Sequence, residues 1–373
     1  MNNTLHIVVF QNPTPANYGG VIDVFYRLQS LHQAGIKIIL HCFYYDGRED
    51  ASLLHSICEK VYLYPRLIGM KNQLSTLPYI VKSRRHPKLL KNLCQDNHPI
   101  LFDGLHCCYL LDHPALKNRV KWVRMHNIEH DYYRQLAKNE VNWKNKLFFS
   151  IEAYRLKRFE RVLQHAQGIF AVSLADQHYL QEKFPAIPCY HMPCFHVEQE
   201  RTSGYSDQPY LLYHGNLSVA ENQKVVMYLL KNWKNDYLPL YIAGKNANAF
   251  ASHVCTQNVQ LFDQVSDQQL NQLIQHAKAN LMITFQATGF KLKLINSLQL
   301  GGFCIANEEM LAGTTLHHTC LVGKDWNELT AHITAICSAN WGEKEEQTRK
   351  SALSSYGNKP HLSTILLLIS KKN

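Results

Sequence analysis

Apolar positions along the chain occur alternately as short runs and as stripes at helical spacing, which predicts strands that alternate with helices. Residues 5–10 form one apolar run, and residues 36–43 form a second. Between the two runs lies a stripe at helical spacing, formed by Val21, Val24, Phe25, Leu28 and Leu31. A strand, a helix and a strand in this order predict a parallel sheet covered by helices.

The same alternation continues through the first half of the chain. Further strands are predicted at residues 60–63, 100–103, 121–125 and 168–172. A long amphipathic helix with a basic outer face is predicted at residues 143–164. Its inward-facing side chains are predicted to be Trp143, Leu147, Phe148, Ile151, Phe159 and Val162.

Residues 196–208 are polar and rich in turn-forming residues, which indicates a linker between two domains. After this segment the pattern restarts, with strands predicted at 210–213, 240–243 and 259–262 and helices predicted at 223–233 and 267–277. We therefore predict an N-terminal domain at residues 1–195 and a second domain at 209–345. A helical segment at 346–373 follows, and it could pack back on the first domain.

Residues 280–307 form a strand, a loop, a helix and a second strand. The helix, predicted at residues 290–300, begins directly after a turn that contains Gly289. Such a helix start presents free N–H groups and a positive dipole, which suit a phosphate. Lys291 and Lys293 lie in the predicted first turn, where the dipole disfavours cations, so they suggest an anion to be neutralised. Two solvated surface lysines are the alternative interpretation.

Two segments of the first half mark a second candidate site. Gly19 and Gly20 open the first helix and would let the backbone come close to a ligand, although a plain tight turn gives the same pattern. Residues 124–133 directly follow an apolar strand, where ligands bind in open α/β sheets. The hydrogen-bonding side chains of this segment include Arg124, His126, Asn127, Glu129 and His130.

Composition narrows the class of protein. A chain of 373 residues, with 46% hydrophobic and 18% charged residues, is long enough for two globular domains. No apolar run approaches the length that spans a bilayer, and the N-terminus lacks the features of a signal peptide. Eleven scattered cysteines without a C-x-x-C pair indicate free thiols in a reducing cytoplasm, and we expect no metal site.

The formal net charge of +10 is concentrated in the first half. Residues 1–195 contain 24 lysines and arginines against 15 acidic residues, whereas residues 196–373 contain 15 against 14. A basic face suits an anionic membrane surface, an anionic substrate or nucleic acid, or it is simply solvated. Since no nucleic-acid-binding module is visible, we predict a cytoplasmic protein that could lie peripherally on the inner face of a membrane.

Taken in order, four motifs resemble those of retaining glycosyltransferases of the GT-B fold, family 4. They are YGGVIDVFYRLQSLHQAGIKIIL, MHNIEHDYY, YHGNLSVAEN and TGFKLKLINSLQLGGFCIAN. The resemblance implies an α/β protein with two Rossmann-like, doubly wound domains facing a central cleft, the second holding a nucleotide sugar. It also implies transfer of a hexose from a UDP- or GDP-sugar to a saccharide or lipid-linked saccharide, in surface polysaccharide or glycan biosynthesis.

Carried over by position, the resemblance assigns roles to individual residues. His126 would contact the donor sugar and help organise the reacting centre, and Asn296 would bind the nucleotide ribose. Asn127 and Glu129 are the candidates for binding the acceptor. The other positions that match the donor-binding motifs are Gly19, Gly20, Gly215, Asn216, Thr288, Gly289 and Phe290.

The chain departs from the family pattern in its phosphate-binding cations. The family's loop arginine corresponds to Asn216, and its lysine corresponds to Glu221 or Asn222. Departure of a diphosphate would still need positive charge, and the candidates for it are Lys224, Lys245, Lys291 and Lys293. On a helix the last two would point about 200° apart, so we prefer Lys291, the nearer to the helix start, as the catalytic cation.

Other functions remain open on the sequence. The absence of an Asp-x-Asp segment argues against the metal-bridged diphosphate of the other large glycosyltransferase fold, so neither a metal nor a further cofactor is expected. Thr288 and Asn296 correspond to the family's two glutamates. The substitution of Thr288 for the first glutamate, with the missing arginine and lysine, would also fit a catalytically silent relative that binds a nucleotide sugar or a glycan. A nucleotide-sugar epimerase of the same architecture is the third interpretation.

Overall fold

The computed structural model describes residues 3–17, 19–45, 47–69, 75–199, 208–286 and 291–370, with the side chains of 368–370 left out. The chain divides into two compact units. The first unit comprises residues 1–196 and 358–373, and the second comprises residues 197–357. Residues 200–207 of the predicted linker lie outside the described residues.

The first unit is built on a parallel sheet of seven strands in the order β3-β2-β1-β4-β5-β6-β7. The strands are β1 (Thr4–Val9), β2 (Lys37–Tyr44), β3 (Lys60–Pro65), β4 (Ile100–Asp103), β5 (Lys121–Met125), β6 (Gly168–Ala171) and β7 (Cys189–His191). Strands β4, β5 and β6 are buried along their whole length, because helices cover both faces of a parallel sheet. The strands predicted in this half are confirmed, and the short β7 adds to them.

Six α-helices precede the second unit along the chain. They are α1 (Gly19–Gln33), α2 (Tyr79–Lys82), α3 (Pro87–Leu93), α4 (Glu129–Asn139), α5 (Trp143–Phe159) and α6 (Leu174–Lys183). Short 3₁₀ helices lie at Ser52–Ser56, Leu105–Leu110, Pro114–Leu116 and Glu160–His165.

The second unit contains a parallel sheet of six strands in the order β10-β9-β8-β11-β12-β13. The strands are β8 (Gln208–His214), β9 (Leu240–Gly244), β10 (Val259–Asp263), β11 (Ala277–Met282), β12 (Phe303–Ala306) and β13 (Leu321–Val322). The helices are α7 (Ala220–Asn232), α8 (Asp267–His276), α9 (Leu292–Leu300), α10 (Glu308–Leu311), α11 (Trp326–Ile336) and α12 (Glu343–Leu353). Additional 3₁₀ helices lie at Ala247–His253, His317–Thr319 and Ser354–Tyr356.

The last helix, α13 (Asn358–Ser370), belongs to the first unit. The backbone N–H of His196 donates to Asn358 Oδ1 at 3.1 Å, and Asn358 Nδ2 donates to the His196 carbonyl at 2.7 Å. Ile365 on α13 is fully buried in the first unit's core. None of the helices in the described ranges is both long and apolar enough to cross a membrane.

In each sheet the strand order reverses direction once. In the first unit this happens between β1 and β4, and in the second unit between β8 and β11. Ligands of open parallel sheets bind outside the carboxyl ends of the strands at such a switch point. The loops that follow these four strands are therefore the places where each unit can bind a ligand.

The prediction for the inward face of α5 was wrong for three of its residues, whereas Phe159 is half-buried and packs against the core of the first unit as predicted. Trp143, Leu147 and Ile151 are exposed rather than inward-facing, whereas Val162, in the following 3₁₀ helix, is buried as predicted. The physical reason is a buried carboxylate on the other face of the helix. Glu152 is fully buried, accepting from the backbone N–H of Tyr79 at 2.6 Å and from Arg155 at 2.8 Å. This bonded carboxylate fixes the inward face of α5 and leaves the apolar stripe outside.

A glycine contact holds together the loops at the switch edge of the second unit. Gly244, the last residue of β9, has a φ of +145°, and a Cβ added there would lie 1.8 Å from the carbonyl oxygen of Gly215. The Gly215 N–H donates to the Ala243 carbonyl at 3.1 Å in the same place. Only glycine allows this close approach of two backbones.

We expect Gly244→Ala to destabilise the protein more than Gly35→Ala does. Gly35 also has a positive φ, of +79°, but a Cβ there would meet nothing within 4 Å. The control therefore carries only the backbone strain, about 1 kcal/mol, whereas Gly244→Ala adds a clash between main chains. Thermal unfolding of the two variants measures the difference. Equal losses would show that the close approach to Gly215 is unimportant.

Candidate functional site

Buried charges surround the switch point of the first unit. Asp23 on α1 accepts two hydrogen bonds from Arg124 on β5, from Nε at 2.7 Å and from a terminal nitrogen at 2.9 Å. Arg27, one turn along α1, lies 3.1 Å from Asp23 and 2.8 Å from Asp103 at the end of β4. All four side chains are fully buried. We call these four residues the Asp23 network.

The pKa shifts in the Asp23 network favour the ionised form of its side chains. Burial alone would raise the pKa of Asp23, but Arg124 and Arg27 reverse that effect and hold it well below its usual range. Burial would likewise raise the pKa of Asp103, yet Arg27 and His126 keep it lowered. The pKa of Arg124 is raised, because Asp23 outweighs the opposing effect of burial. Two carboxylates and two guanidiniums thus compensate each other inside the unit.

His126 is held against this network. Its Nε2 lies 3.0 Å from Asp103 Oδ1, and its Nδ1 lies 3.7 Å from Asp23 Oδ2. The ring of Phe10, which follows β1, packs edge-on against the imidazole, with ring centres 5.3 Å apart. The imidazole is therefore fixed in position by a carboxylate and an aromatic ring, and part of its surface stays accessible.

Glu129 and His106 form a second pair beside His126. The Glu129 carboxyl is almost completely buried and accepts no hydrogen bond from the described residues, and its nearest partner is His106 Nδ1 at 3.8 Å. Burial raises the pKa of Glu129 to about 8, helped by Asp176 and Glu160 and opposed by Arg84. Burial and the charge of Arg84 hold the pKa of His106 well below its usual value.

The remaining predicted residues of the first unit lie at the start of α1 and in the loop that follows β5. Gly19 and Gly20 begin α1, directly after the loop that follows β1. Asn127 is half-buried between His126 and the start of α4. Sequence reasoning missed Asp23, Arg27, Asp103 and His106. Asp103 ends a predicted strand, and Asp23 and Arg27 are four residues apart on a helix, so both signals were available.

In the second unit a group of polar side chains lies at the switch between β8 and β11. Lys293 Nζ donates to Asn222 Oδ1 at 3.4 Å and sits 4.9 Å above the ring centre of Tyr213. Asn222 Oδ1 also accepts from the Tyr213 hydroxyl at 3.2 Å. Glu221 accepts from the backbone N–H of Phe285 at 2.9 Å and from the Thr284 hydroxyl. We call Tyr213, Glu221, Asn222, Lys291 and Lys293 the Lys293 cluster.

The lysines of this cluster are positive charges in a poorly solvated place. Burial, with the neighbouring charge of Lys291, lowers the pKa of Lys293 to about 8, although Glu221 acts in the opposite direction. Burial lowers the pKa of Lys291 as well, and Glu221 again opposes this. The carboxylate of Glu221 therefore attracts the ammonium groups of both lysines.

The helix start in this place differs from the prediction. Helix α9 begins at Leu292, and Lys291 is the residue before it rather than part of its first turn. The 200° separation expected for two residues on one helix therefore does not apply. Thr288, Gly289 and Phe290 lie outside the described residues.

The other predicted residues of the second unit occupy the neighbouring loops. Asn216 Oδ1 accepts from the backbone N–H of Ser218 at 3.0 Å, and the Asn216 carbonyl accepts from Asn222 Nδ2 at 2.9 Å. Lys245 is exposed after β9, and its carbonyl accepts from the Leu217 N–H at 3.0 Å. Gly215 lies against the Asn222 side chain, so the loop after β8 is continuous with the Lys293 cluster.

Helix α9 carries two further polar side chains. Asn296, the predicted ribose ligand, is half-buried and makes no side-chain hydrogen bond to the described residues. Ser297 is buried and pairs with His214 at the end of β8, Oγ to Nε2 at 2.9 Å. Burial and the charge of Lys293 lower the pKa of His214 to about 3, so this histidine is neutral. Sequence reasoning missed the His214–Ser297 pair.

Comparison of the chain with known proteins shows its fold. No family model matches the sequence. An uncharacterized 44.6 kDa protein in cps region of Klebsiella pneumoniae is 24% identical over 327 residues, covering 82% of this chain and 83% of that protein. This identity is too low to show shared membership of a family.

Solved structures align along nearly the whole chain. Sucrose-phosphate synthase from Thermosynechococcus elongatus is 15% identical, with a TM-score of 0.68 and 98% of each chain covered. Anabaena HepE, solved in complex with UDP and glucose, is 12% identical, with a TM-score of 0.66 and 98% and 99% covered. The lipopolysaccharide outer core galactosyltransferase WaaB is 12% identical, with a TM-score of 0.64 and 97% of each chain covered. The chain therefore has the GT-B fold of glycosyltransferases, with two Rossmann-like units.

We expect Arg124→Met to destabilise the first unit by about 3–5 kcal/mol, because it leaves the buried Asp23 carboxylate without its main partner. The matched control is Arg134→Met, which removes an arginine from an exposed pair with Asp131 at 2.6 Å. That change should stay within about 1 kcal/mol. Urea unfolding of the two variants gives both values. Similar losses of unfolding free energy in the two variants would mean that the buried Arg124–Asp23 pair stabilises the protein no more than the exposed Arg134–Asp131 pair does.

Proposed function

We propose that this protein is a glycosyltransferase that transfers a hexose from a nucleoside diphosphate sugar to a hydroxyl of a saccharide or lipid-linked saccharide. The GT-B fold is the framework on which such enzymes are built, and the observation that carries the proposal is the Lys293 cluster. Two lysines with lowered pKa values lie at the switch edge of a Rossmann-like sheet, where a nucleotide is expected. The cps region in the name of the Klebsiella relative supports a polysaccharide acceptor.

In this proposal the Lys293 cluster binds the diphosphate of the donor. The resemblance expected cations on the loop after β8, where the chain has Asn216, Glu221 and Asn222 instead. Lys293 reaches the same place through its contact with Asn222, and Lys291 precedes it by two residues at the start of α9. Their charge would stabilise the departing diphosphate without a metal, and Lys291 is the first candidate for this role. Asn296 would bind the ribose, since a free amide can both donate and accept.

The first unit supplies the groups for the sugar and the acceptor. His126, fixed by Asp103, would donate or accept a hydrogen bond at the donor sugar. Glu129 Oε1 lies 3.8 Å from His106 Nδ1, which has no hydrogen-bond partner among the described residues, and one hydroxyl oxygen can lie within hydrogen-bond distance of both atoms. We assign this pair, with Asn127, to the acceptor. Retention of the anomeric configuration is part of the proposal.

A nucleoside diphosphate should raise the melting temperature of the protein, and loss of either lysine should reduce that rise. A screen of UDP, GDP and ADP with their sugars identifies the base and the sugar together, because binding to the folded state alone stabilises it. Lys291→Ala and Lys293→Ala should each weaken binding about 10- to 100-fold, as expected for a charge-assisted hydrogen bond. Lys291→Ala should also lower kcat by about 100-fold or more.

The control for this experiment is Lys231→Ala, which removes an exposed lysine of α7 away from the cluster. It should leave both the affinity and kcat unchanged. If the two cluster variants bind the nucleotide as the wild type does, the diphosphate lies elsewhere and the proposal for this site is wrong.

Binding of the nucleoside diphosphate should weaken as the pH rises from 7 to 9. The pKa of Lys293 is lowered to about 8, so its ammonium is protonated at pH 7 and loses its charge above pH 8. The anion binds the protonated form, so the affinity falls with rising pH. In Lys293→Arg the guanidinium stays charged throughout this range, so the affinity should fall less steeply with pH than it does in the wild type. Titration calorimetry at several pH values measures both. Equal pH dependence in the wild type and in the variant would exclude Lys293 as a ligand of the phosphate.

A catalytically silent relative that binds a nucleotide sugar or a glycan is the second candidate. The observation that favours it is the carboxylate of Glu221, which interacts with the lysines at a position where an active family member is expected to have a cation. Turnover with a panel of nucleotide sugars and saccharides separates the two. Transfer or hydrolysis supports the enzyme, binding with neither supports the silent relative, and isomerisation without an acceptor would indicate an epimerase.

A further inference from the structure

The outward face of α5 carries an exposed apolar stripe. Its members lie four, four and three residues apart, which places them on one side of a helix. They are Trp143, Leu147, Ile151 and Tyr154, with 69%, 54%, 41% and 64% of their surface exposed. Val141, just before the helix, is also exposed. Contiguous exposed apolar side chains of this kind mark an interaction surface.

The stripe cannot turn inward by rotation of the helix. The opposite side of α5 carries the buried residues Glu152, Ala153 and Leu156. The Glu152 carboxylate accepts hydrogen bonds from Arg155 and from the backbone N–H of Tyr79. Rotation of the helix would break both bonds and move this buried carboxylate out of its site. The exposure of the stripe is therefore a property of the folded unit.

Positive charge surrounds the stripe. Residues 134–161 contain eight lysines and arginines against three glutamates. Two of the glutamates, Glu152 and Glu160, are fully buried and bonded, so they contribute little to the outer field. Lys144 lies 5.7 Å from the ring centre of Trp143, and Arg158 lies 5.8 Å from that of Tyr154. Cations thus flank the stripe at both of its ends.

A groove between α4 and α5 runs beside the stripe. It has a volume of about 560 Å³ and is lined by four cationic side chains, Arg134, Lys138, Lys146 and Lys157, together with Ala137, Ser150, Ala153 and Tyr154. Within the described parts of the chain, the three lysines have no carboxylate within 4 Å, whereas Arg134 pairs with Asp131. A groove lined by three ammonium groups without a carboxylate partner suits a phosphate.

We propose that the hairpin of α4 and α5 docks on an anionic lipid surface. The apolar stripe enters the boundary between headgroups and acyl chains, and the groove receives a lipid phosphate. This division into an apolar face and a cationic border is that of helices that lie in the membrane interface. The proposal does not depend on the donor site of the second unit.

Charge decides between a lipid surface and other occupants of the same face. A second copy of the chain would bring its own cations against these cations, and each chain has a formal net charge of +10. Nucleic acid would satisfy the lysines but would offer no apolar phase to Leu147 and Ile151. An anionic bilayer supplies both the negative charge and the apolar phase.

The test of the groove is co-sedimentation with vesicles of phosphatidylcholine, with and without added phosphatidylglycerol, at low salt. The wild type should bind the anionic vesicles and bind the neutral ones weakly. The triple variant Lys138→Gln, Lys146→Gln, Lys157→Gln should bind the anionic vesicles about 100-fold more weakly, since each lysine near the surface contributes roughly one factor of five.

The control triple variant changes the same amount of charge elsewhere in the first unit. Lys88→Gln, Lys91→Gln and Lys117→Gln remove three exposed lysines outside the hairpin. This variant should bind the vesicles nearly as the wild type does. Equal losses in the two triple variants would mean that net charge alone attracts the protein, and the proposal for the hairpin would be overturned.

A second pair of variants tests the apolar stripe. Leu147→Ser with Ile151→Ser should weaken binding to anionic vesicles about tenfold or more, because two side chains no longer leave water. Leu53→Ser with Leu67→Ser, at exposed positions outside the hairpin, should have no effect. In addition, brominated lipids should quench Trp143, which is measured as the difference between the wild type and Trp143→Phe.

Further outcomes identify the other occupants. Soluble glycerol phosphate that abolishes vesicle binding at low millimolar concentration would point to a free phosphate ligand. A dimer in the absence of vesicles that Leu147→Ser with Ile151→Ser dissociates would point to a second copy. Binding to RNA that competes with vesicles and is lost in the groove variant would point to nucleic acid. Each of these results, or an unquenched Trp143, contradicts the proposal.

Discussion

A carboxylate shielded from solvent must be neutralised by its neighbours, and Asp23 meets this requirement with groups from three parts of the first unit. Arg27 comes from the same helix, Arg124 comes from β5, and the backbone N–H of Phe195, after β7, donates to Asp23 Oδ1 at 2.7 Å. Arg124 in turn donates to the carbonyls of Met192 and Pro193. One charge thus ties α1 to the middle of the sheet and to the segment that follows its last strand. The position of His126 depends on the same contacts through Asp103.

The two candidate sites treat charge in opposite ways. In the Asp23 network every ionised group has an oppositely charged partner at hydrogen-bond distance, so the network fixes geometry and has little capacity for a new ion. In the Lys293 cluster the ammonium of Lys293 rests on an aromatic ring and an amide oxygen, and its pKa is lowered to about 8. A cation in that state gains more from an incoming anion than one already paired with a carboxylate. The contrast separates a positioning framework from a place that can take up a ligand.

Much of the fold could be predicted from the sequence, because hydrophobic periodicity reports directly on strands and helices of a covered parallel sheet. The candidate sites could be predicted only in part. The polar segment that begins at Arg124 was visible, but its partner Asp23 lies 101 residues away, and no local pattern reveals a contact over that distance. The geometry of Lys291 depended on where α9 begins, and helix ends are poorly defined by periodicity. The face of α5 was mispredicted because the hydrogen bonds of the buried Glu152 fix which side of the helix faces inward. The apolar side chains on the opposite side therefore stay exposed.

The placement of α13 also bears on how the protein is made. The first unit needs Ile365 for its core and Asn358 for its bonds to His196, yet these residues follow the whole of the second unit in the sequence. A ribosome that adds about 5–20 residues per second takes roughly ten to thirty seconds to pass through residues 197–357. During that interval the nascent first unit lacks its last helix, and the surface that α13 covers is exposed to chaperones. The second unit is continuous in sequence and needs no later segment for its packing. It can therefore finish folding before the first unit, although most of the first unit is synthesised earlier.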